Sequence, residues 1–130
     1  GSKMIVADPR FTRTAAKADL YVRFRSGTDI PVLFGMLYHI FKNGWEDKRY
    51  INDRVYGMAK VREEVLAKWT PDKVEEASGV PEAVLYQAAE MMAKNKPSTL
   101  AWRMGQTQHT IGNAMVRASC SVPLVPPRCR

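Results

Sequence analysis

The longest near-apolar run in the chain, Ile30 to Phe41, sets the terms for any fold. It is too short for a bilayer, which needs about 20 apolar residues in a helix, and it contains His39. Val32, Leu33, Met36, Leu37, Ile40 and Phe41 recur at the three- and four-residue spacing of one helical face. The helix has signals at both ends. Thr28 or Asp29 can cap it, Pro31 suits its first turn, and Asn43-Gly44 stops it after Lys42. A stripe this continuous must be covered, so the rest of the chain has to be built around it.

Short apolar runs precede it. Met4 to Ala7, closed by Asp8-Pro9, reads as a buried strand, and Leu20 to Phe24 as a second. Phe11 to Ala18 between them reads as a short helix. Amphipathic helices are expected over Asp47 to Val55, over Met58 to Trp69 after Gly57, from Thr70-Pro71 to Gly79, and from Pro81 to Lys94. Val84, Leu85, Ala88, Ala89 and Met92 form the inner face of the last. Thr99 to Met104 reads as a third strand, Gly105 to Thr107 as a turn, and Thr110 to Cys120 as a helix. The order predicts an α/β fold with a small, mainly parallel sheet flanked by helices. The 130 residues, 45% hydrophobic and 25% charged, suit one globular domain rather than a disordered chain.

Other features exclude function classes. Cys120 and Cys129 cannot supply a disulfide framework or a zinc cluster, and Cys120 is expected to be buried as a small apolar residue. No signal-peptide pattern is expected from the opening residues. His39, on an apolar helix, reads as a core or boundary histidine, Met36, Met58, Met91 and Met92 as core filler, and Trp45 and Trp69 as packing anchors. Three prolines between Pro123 and Pro127 forbid continuing the last helix, so residues 121–130 are expected to be an irregular, frayed tail. The net charge of +7 sits at the two ends: residues 1–25 hold six basic and two acidic residues, and residues 103–130 hold four basic and none acidic. If the fold joins the ends they form an anion-binding region; a generic basic surface accounts for the charge equally well. Arg23-Phe24-Arg25 is a faint hint of a nucleic-acid surface, but no recognisable module follows, and no nucleic-acid partner is expected.

Open α/β sheets bind ligands at the carboxyl ends of their strands. Three loops fall there. Asp8-Pro9-Arg10 offers an acceptor for a ribose or base edge and a guanidinium for phosphate; it also makes an ordinary Asp-Pro turn. In Arg25 to Asp29, Gly27 allows close backbone approach and Asp29 faces a ligand or caps the helix. Gly105-Gln106-Thr107-Gln108-His109-Thr110, followed by Gly112, is too polar for a passive connection and suits a heterocyclic ligand with several donors. His109 has no ligating partner or nucleophile near it in sequence, so neither a metal nor a catalytic triad is expected there.

These segments carry a family likeness. Lys3-Met4-Ile5-Val6-Ala7-Asp8-Pro9-Arg10-Phe11-Thr12-Arg13-Thr14-Ala15 resembles a segment of the molybdopterin oxidoreductases. Arg25-Ser26-Gly27-Thr28-Asp29 follows at the family's spacing. Met104-Gly105-Gln106-Thr107-Gln108-His109-Thr110-Ile111-Gly112-Asn113, with Arg117 after it, resembles the formate dehydrogenase version. Over roughly residues 2–120 the chain resembles a fragment of the large (alpha) subunit of molybdenum- or tungsten-dependent formate dehydrogenase.

The resemblance implies a Rossmann-like molybdopterin dinucleotide-binding region over residues 1–120, with 121–130 as a divergent tail. It implies a bis(molybdopterin guanine dinucleotide) cofactor holding Mo or W. Asp8 and Arg10 would lie along its guanosine and phosphate end, Gly27 would let the backbone approach, and Asp29 would read the guanine. Gly105, Gln108 and His109 would reach toward the pterin or pyrophosphate. The parent would interconvert formate and carbon dioxide and pass electrons to an iron–sulfur cluster. Its partners would be the remainder of the large subunit and iron–sulfur electron-transfer subunits, with no direct membrane span. The iron–sulfur cysteines, the Cys or selenocysteine with its His, and the active-site Arg match nothing in this stretch, so the fragment alone is expected to be inactive. The alternative is a stand-alone guanine-nucleotide or protein-interaction module without redox activity.

Overall fold

The computed structural model describes residues 1–127. β1 (Ile5–Ala7) and β2 (Leu20–Val22) form a two-stranded parallel sheet, with Ile5 opposite Leu20 and Ala7 opposite Val22. Among the described residues seven α-helices follow: α1 (Asp29–Lys42), α2 (Lys48–Arg54), α3 (Met58–Lys68), α4 (Pro71–Ser78), α5 (Glu82–Lys94), α6 (Met104–Thr107) and α7 (Gly112–Ser121). No described helix is long and apolar enough to cross a membrane. The expected α/β class stands, with less sheet than the sequence suggests.

α1 is the central element, packed by α3, α4, α5 and α7. Its stripe enters two apolar clusters: Leu33, Leu37, Ile40 and Phe41 join Met58, Val65, Ala89 and Val122, while Val32 joins Val22, Val74, Val80 and Leu85. Gly35 lets α4 and α5 close on α1, because a Cβ there would stand 2.8 Å from Val74 Cγ1 and 3.3 Å from Leu85 Cδ1. β2 is joined to α4 by Arg25. Its guanidinium donates to the carbonyls of Glu76 (2.5 Å) and Ala77 (3.2 Å), and its amide to Ser78 O (2.9 Å). A cation thus covers the last carbonyls of α4, where the helix dipole favours it.

Four expectations are corrected. Thr99 to Met104 is not a strand. Residues 98–103 keep an alternating burial pattern, but among the described residues no strand edge pairs with them, and Met104 begins α6. Over Phe11 to Ala18 only Ala15–Lys17 is helical, and only as a 3-10 turn. Thr12 Oγ1 accepts from the Ala15 amide at 3.1 Å, so a side chain takes a donor early in the segment and a local turn wins. Cys120 is exposed, because the inner face of α7 runs through Met115, Ala118 and Ser119 and Cys120 lies off it. Nor do residues 121–127 fray. Val122–Leu124 is a 3-10 turn, Val122, Val125 and Pro126 are buried, and the Asp47 amide donates to Val125 O at 2.9 Å. Pro123 ends the α-helix as expected but fits the tighter turn, whose apolar flanks fill the base of the core. Arg128 to Arg130, with Cys129, lie outside the described residues.

Candidate functional site

β1, β2 and the 101–109 segment converge on one cavity of about 540 Å³, within the range of small-molecule sites. Parallel pairing brings the ends of both strands to the same side. The Asp8 amide extends the ladder to Val22 O at 3.2 Å, which aims the next residues outward. Asp8 Oδ1 then accepts from the Arg10 amide at 2.7 Å, and Tyr21 donates its hydroxyl to Asp8 O at 2.9 Å. This holds the 8–10 turn against β2. On the second loop, Thr28 Oγ1 donates to Arg25 O at 2.6 Å, and Gly27 takes a positive φ of 84° with open space around it. Only glycine adopts that backbone without strain.

Six of the seven residues expected from sequence line this cavity: Asp8, Gly27, Asp29, Gly105, Gln108 and His109. Arg10 does not line it, and its side chain is exposed next to the cavity-lining Pro9. Asp29 is the first residue of α1, and the N-cap Thr28 makes no side-chain capping bond. Asp29 therefore is not the cap. Its buried carboxyl is raised above the ordinary carboxylate range chiefly by burial, opposed by its own amide, the His109 charge and a hydrogen bond from Gln106. An acid held at a raised pKa in a cavity is a mark of a binding or catalytic site.

Sequence reasoning gives Gln106 no separate role and passes over Ser119. Ser119, fully buried on α7, donates to Gln106 Oε1 at 2.6 Å, which ties the cavity-lining Gln106 to the core. Gly112 permits this contact. A Cβ there would overlap the Thr107 carbonyl, so only glycine lets the start of α7 press against residues 106–107. Phe24, Ala101 and Trp102 add apolar walls, and Arg103 adds a cation. Among the described residues no cluster of three or more His, Cys, Asp or Glu could hold a metal ion.

A scan against models of known protein families gives no match. Curated relatives match strongly. The chain is 33% identical over 125 residues to the F420-dependent formate dehydrogenase 1 subunit alpha of Methanococcus maripaludis, covering 96% of this chain and 18% of that protein. It is 34% identical over 125 residues to formate dehydrogenase H of Escherichia coli, covering 96% of this chain and 17% of that protein. Among solved structures, the acetylene hydratase from Pelobacter acetylenicus superimposes with a TM-score of 0.90 at 29% identity, over 95% of this chain and 17% of that chain. The chain thus spans less than a fifth of these relatives' length. It is homologous, over nearly its whole length, to part of the formate dehydrogenase alpha subunits and of the molybdopterin oxidoreductases related to them.

Proposed function

We propose that this chain forms part of the cofactor-binding wall of a formate dehydrogenase-type catalytic subunit, and that its cavity takes the guanosine and pterin part of a molybdopterin guanine dinucleotide. One observation carries the reading: a buried carboxylate, Asp29, faces a cavity also lined by Gly27, Gln108 and His109. The residues fit such a group. Guanine presents adjacent N–H donors, and a carboxylate that keeps acceptor sites free suits them. Gly27 leaves its backbone open to approach. Gln108 and His109 add donors for a pterin edge or pyrophosphate, and Asp8 an acceptor for a ribose. Arg10, outside the lining, is assigned to the phosphate end at the cavity rim.

The comparisons support this division of labour. Proteins named as dehydrogenases of formate and as a hydratase of acetylene share this segment. What they share is better sought in a common cofactor than in the reacting substrate. When bound, that cofactor with its Mo or W supplies the two-electron chemistry of formate and carbon dioxide, and the protein supplies binding and orientation. We assign the iron–sulfur cluster, the metal's protein ligand and the electron-transfer subunits to the parent enzyme outside this stretch. By itself the 130-residue chain is inactive with formate.

The test is a thermal melt of the purified chain with millimolar GMP or AMP. A ligand that binds only the native state adds about 2.7 kcal/mol at a hundredfold excess over its Kd. A cooperative melt is expected to shift upward with GMP and not with AMP, and Asp29→Ala is expected to abolish the shift. Equal shifts with both nucleotides, or a shift that survives Asp29→Ala, would overturn the assignment of Asp29 to the guanine.

A further inference from the structure

We infer that Tyr21 is a positioning residue for Asp8: its hydroxyl clamps the turn after β1 so that the Asp8 carboxylate meets a ribose hydroxyl of the bound nucleotide, and the site thereby tells ribose from a deoxy sugar. This deepens the guanosine reading of the cavity and rests on it. The clamp begins with strand register. Tyr21 lies opposite Val6 in the parallel pair. Side chains alternate along a strand, so Tyr21 shares its face with Val6 and with Asp8 two residues on. Val22, the next residue, belongs to the other face and is fully buried in the core. The Tyr21 hydroxyl donates to Asp8 O at 2.9 Å. Its ring meets the Phe11 ring edge-on, with centroids 5.3 Å apart. One side chain on β2 therefore holds both ends of the 8–11 turn, and the exposed Phe11 finds its ring contact there.

Asp8 is tied at both its backbone and its side chain. Its amide donates to Val22 O at 3.2 Å. The Tyr21 hydroxyl fixes the plane of the peptide that joins Asp8 to Pro9, whose nitrogen has no hydrogen to donate. The Arg10 amide donates to Oδ1 at 2.7 Å and fixes the side chain. Among the described residues Asp8 Oδ2 has no hydrogen-bond partner, and Asp8 lines the cavity. An ionised carboxylate oxygen only accepts, so Oδ2 suits a hydroxyl and not a phosphate or carbonyl oxygen. With the guanine N–H donors assigned to Asp29, the ribose supplies that hydroxyl. Without the phenol, the 8–9 peptide is free to rotate and carries the Arg10 amide with it, so Oδ2 loses its fixed place. Tyr21 itself does not line the cavity, so its effect on a ligand passes through Asp8.

The test compares wild type, Tyr21→Phe and Asp8→Ala in the 130-residue chain, with circular dichroism to verify the fold. Tyr21→Phe keeps the ring and removes only the hydroxyl. Calorimetry gives affinities for GMP, AMP and their 2′- and 3′-deoxy forms, and hydrogen exchange without ligand gives the protection of the Arg10 amide. Wild type is expected to prefer GMP over one of its deoxy forms about tenfold, the scale of one hydrogen bond to a charged group. Both variants are expected to lose that preference by weakening GMP while the deoxy form binds as before. Tyr21→Phe is also expected to speed exchange at Arg10. A merely structural role would weaken both sugars alike. A preference that survives in folded Tyr21→Phe or in Asp8→Ala would overturn the clamp, as would a wild type that shows no preference or binds no nucleotide. If Tyr21→Phe does not fold, Tyr21→Trp, which also lacks the hydroxyl, takes its place under the same criteria. Equal affinity for GMP and AMP, with a ribose preference that Tyr21→Phe abolishes, would reject the guanine reading and uphold the clamp.

Discussion

At the scale of single residues, burial gives Asp29 and His39 opposite pH signatures. Burial raises the Asp29 pKa, so between its ordinary value of 3.8 and the raised one the native state keeps a proton that the unfolded state has lost. Stability therefore falls as pH rises through that window. His39 is buried on α1 with its ring edge-on to Tyr38 and Tyr86, and burial lowers its pKa while Glu82 opposes. Below its ordinary value of 6.5 the unfolded state binds the proton first, so stability falls as the solution is acidified from there. Asp29→Asn is accordingly expected to raise neutral-pH stability and flatten the acidic part of the profile. His39→Gln is expected to remove the loss that begins near 6.5. Urea midpoints from pH 4 to 8 check both, and an Asp29→Asn chain less stable than wild type at pH 7 would contradict the first.

At the scale of elements, close backbone approach rather than polar bonding holds the helices. Gly35 brings α4 within contact of α1. Gly35→Ala must displace Val74, which is fully buried and cannot swing into solvent. It is expected to cost about 1–3 kcal/mol, the usual range for overpacking, read as a lower urea midpoint at unchanged slope. Of the elements, α1 was the most legible. Its expected span ends at Lys42 as observed, because the stripe, the entry loop and the Asn43-Gly44 stop all agree. The third strand was not legible. An extended segment becomes a strand only when a partner edge is present, and residue alternation at 98–103 carries no information about that partner. The 3-10 turn at Val122–Leu124 is not legible in the sequence for a related reason: prolines reveal where an α-helix must end, not whether the following residues find a core to enter.

For the whole molecule, the decisive number is that its relatives are more than five times as long. Each of the two parallel strands has one edge with no strand partner among the described residues, and Phe11, Met104 and Ile111 stand well out into solvent. In isolation such surfaces associate. Size-exclusion chromatography of the purified chain is expected to show elution shifting to larger size with concentration. A monomer at every concentration would mean that these edges are protected within the 130 residues.

The sequence by itself determined the central helix, the α/β class and three polar or glycine-bearing loops as site candidates, because each depends on local patterns: helical periodicity, a glycine able to take positive φ, a polar run between apolar segments. Only the tertiary structure decided that those loops share one cavity, that Arg10 stays outside its lining, and that Ser119 hydrogen-bonds to Gln106. Each of these depends on packing between segments far apart in the chain. A residue's partner across the core is set by how helices and strands come together, and no pattern along a single stretch of chain contains it.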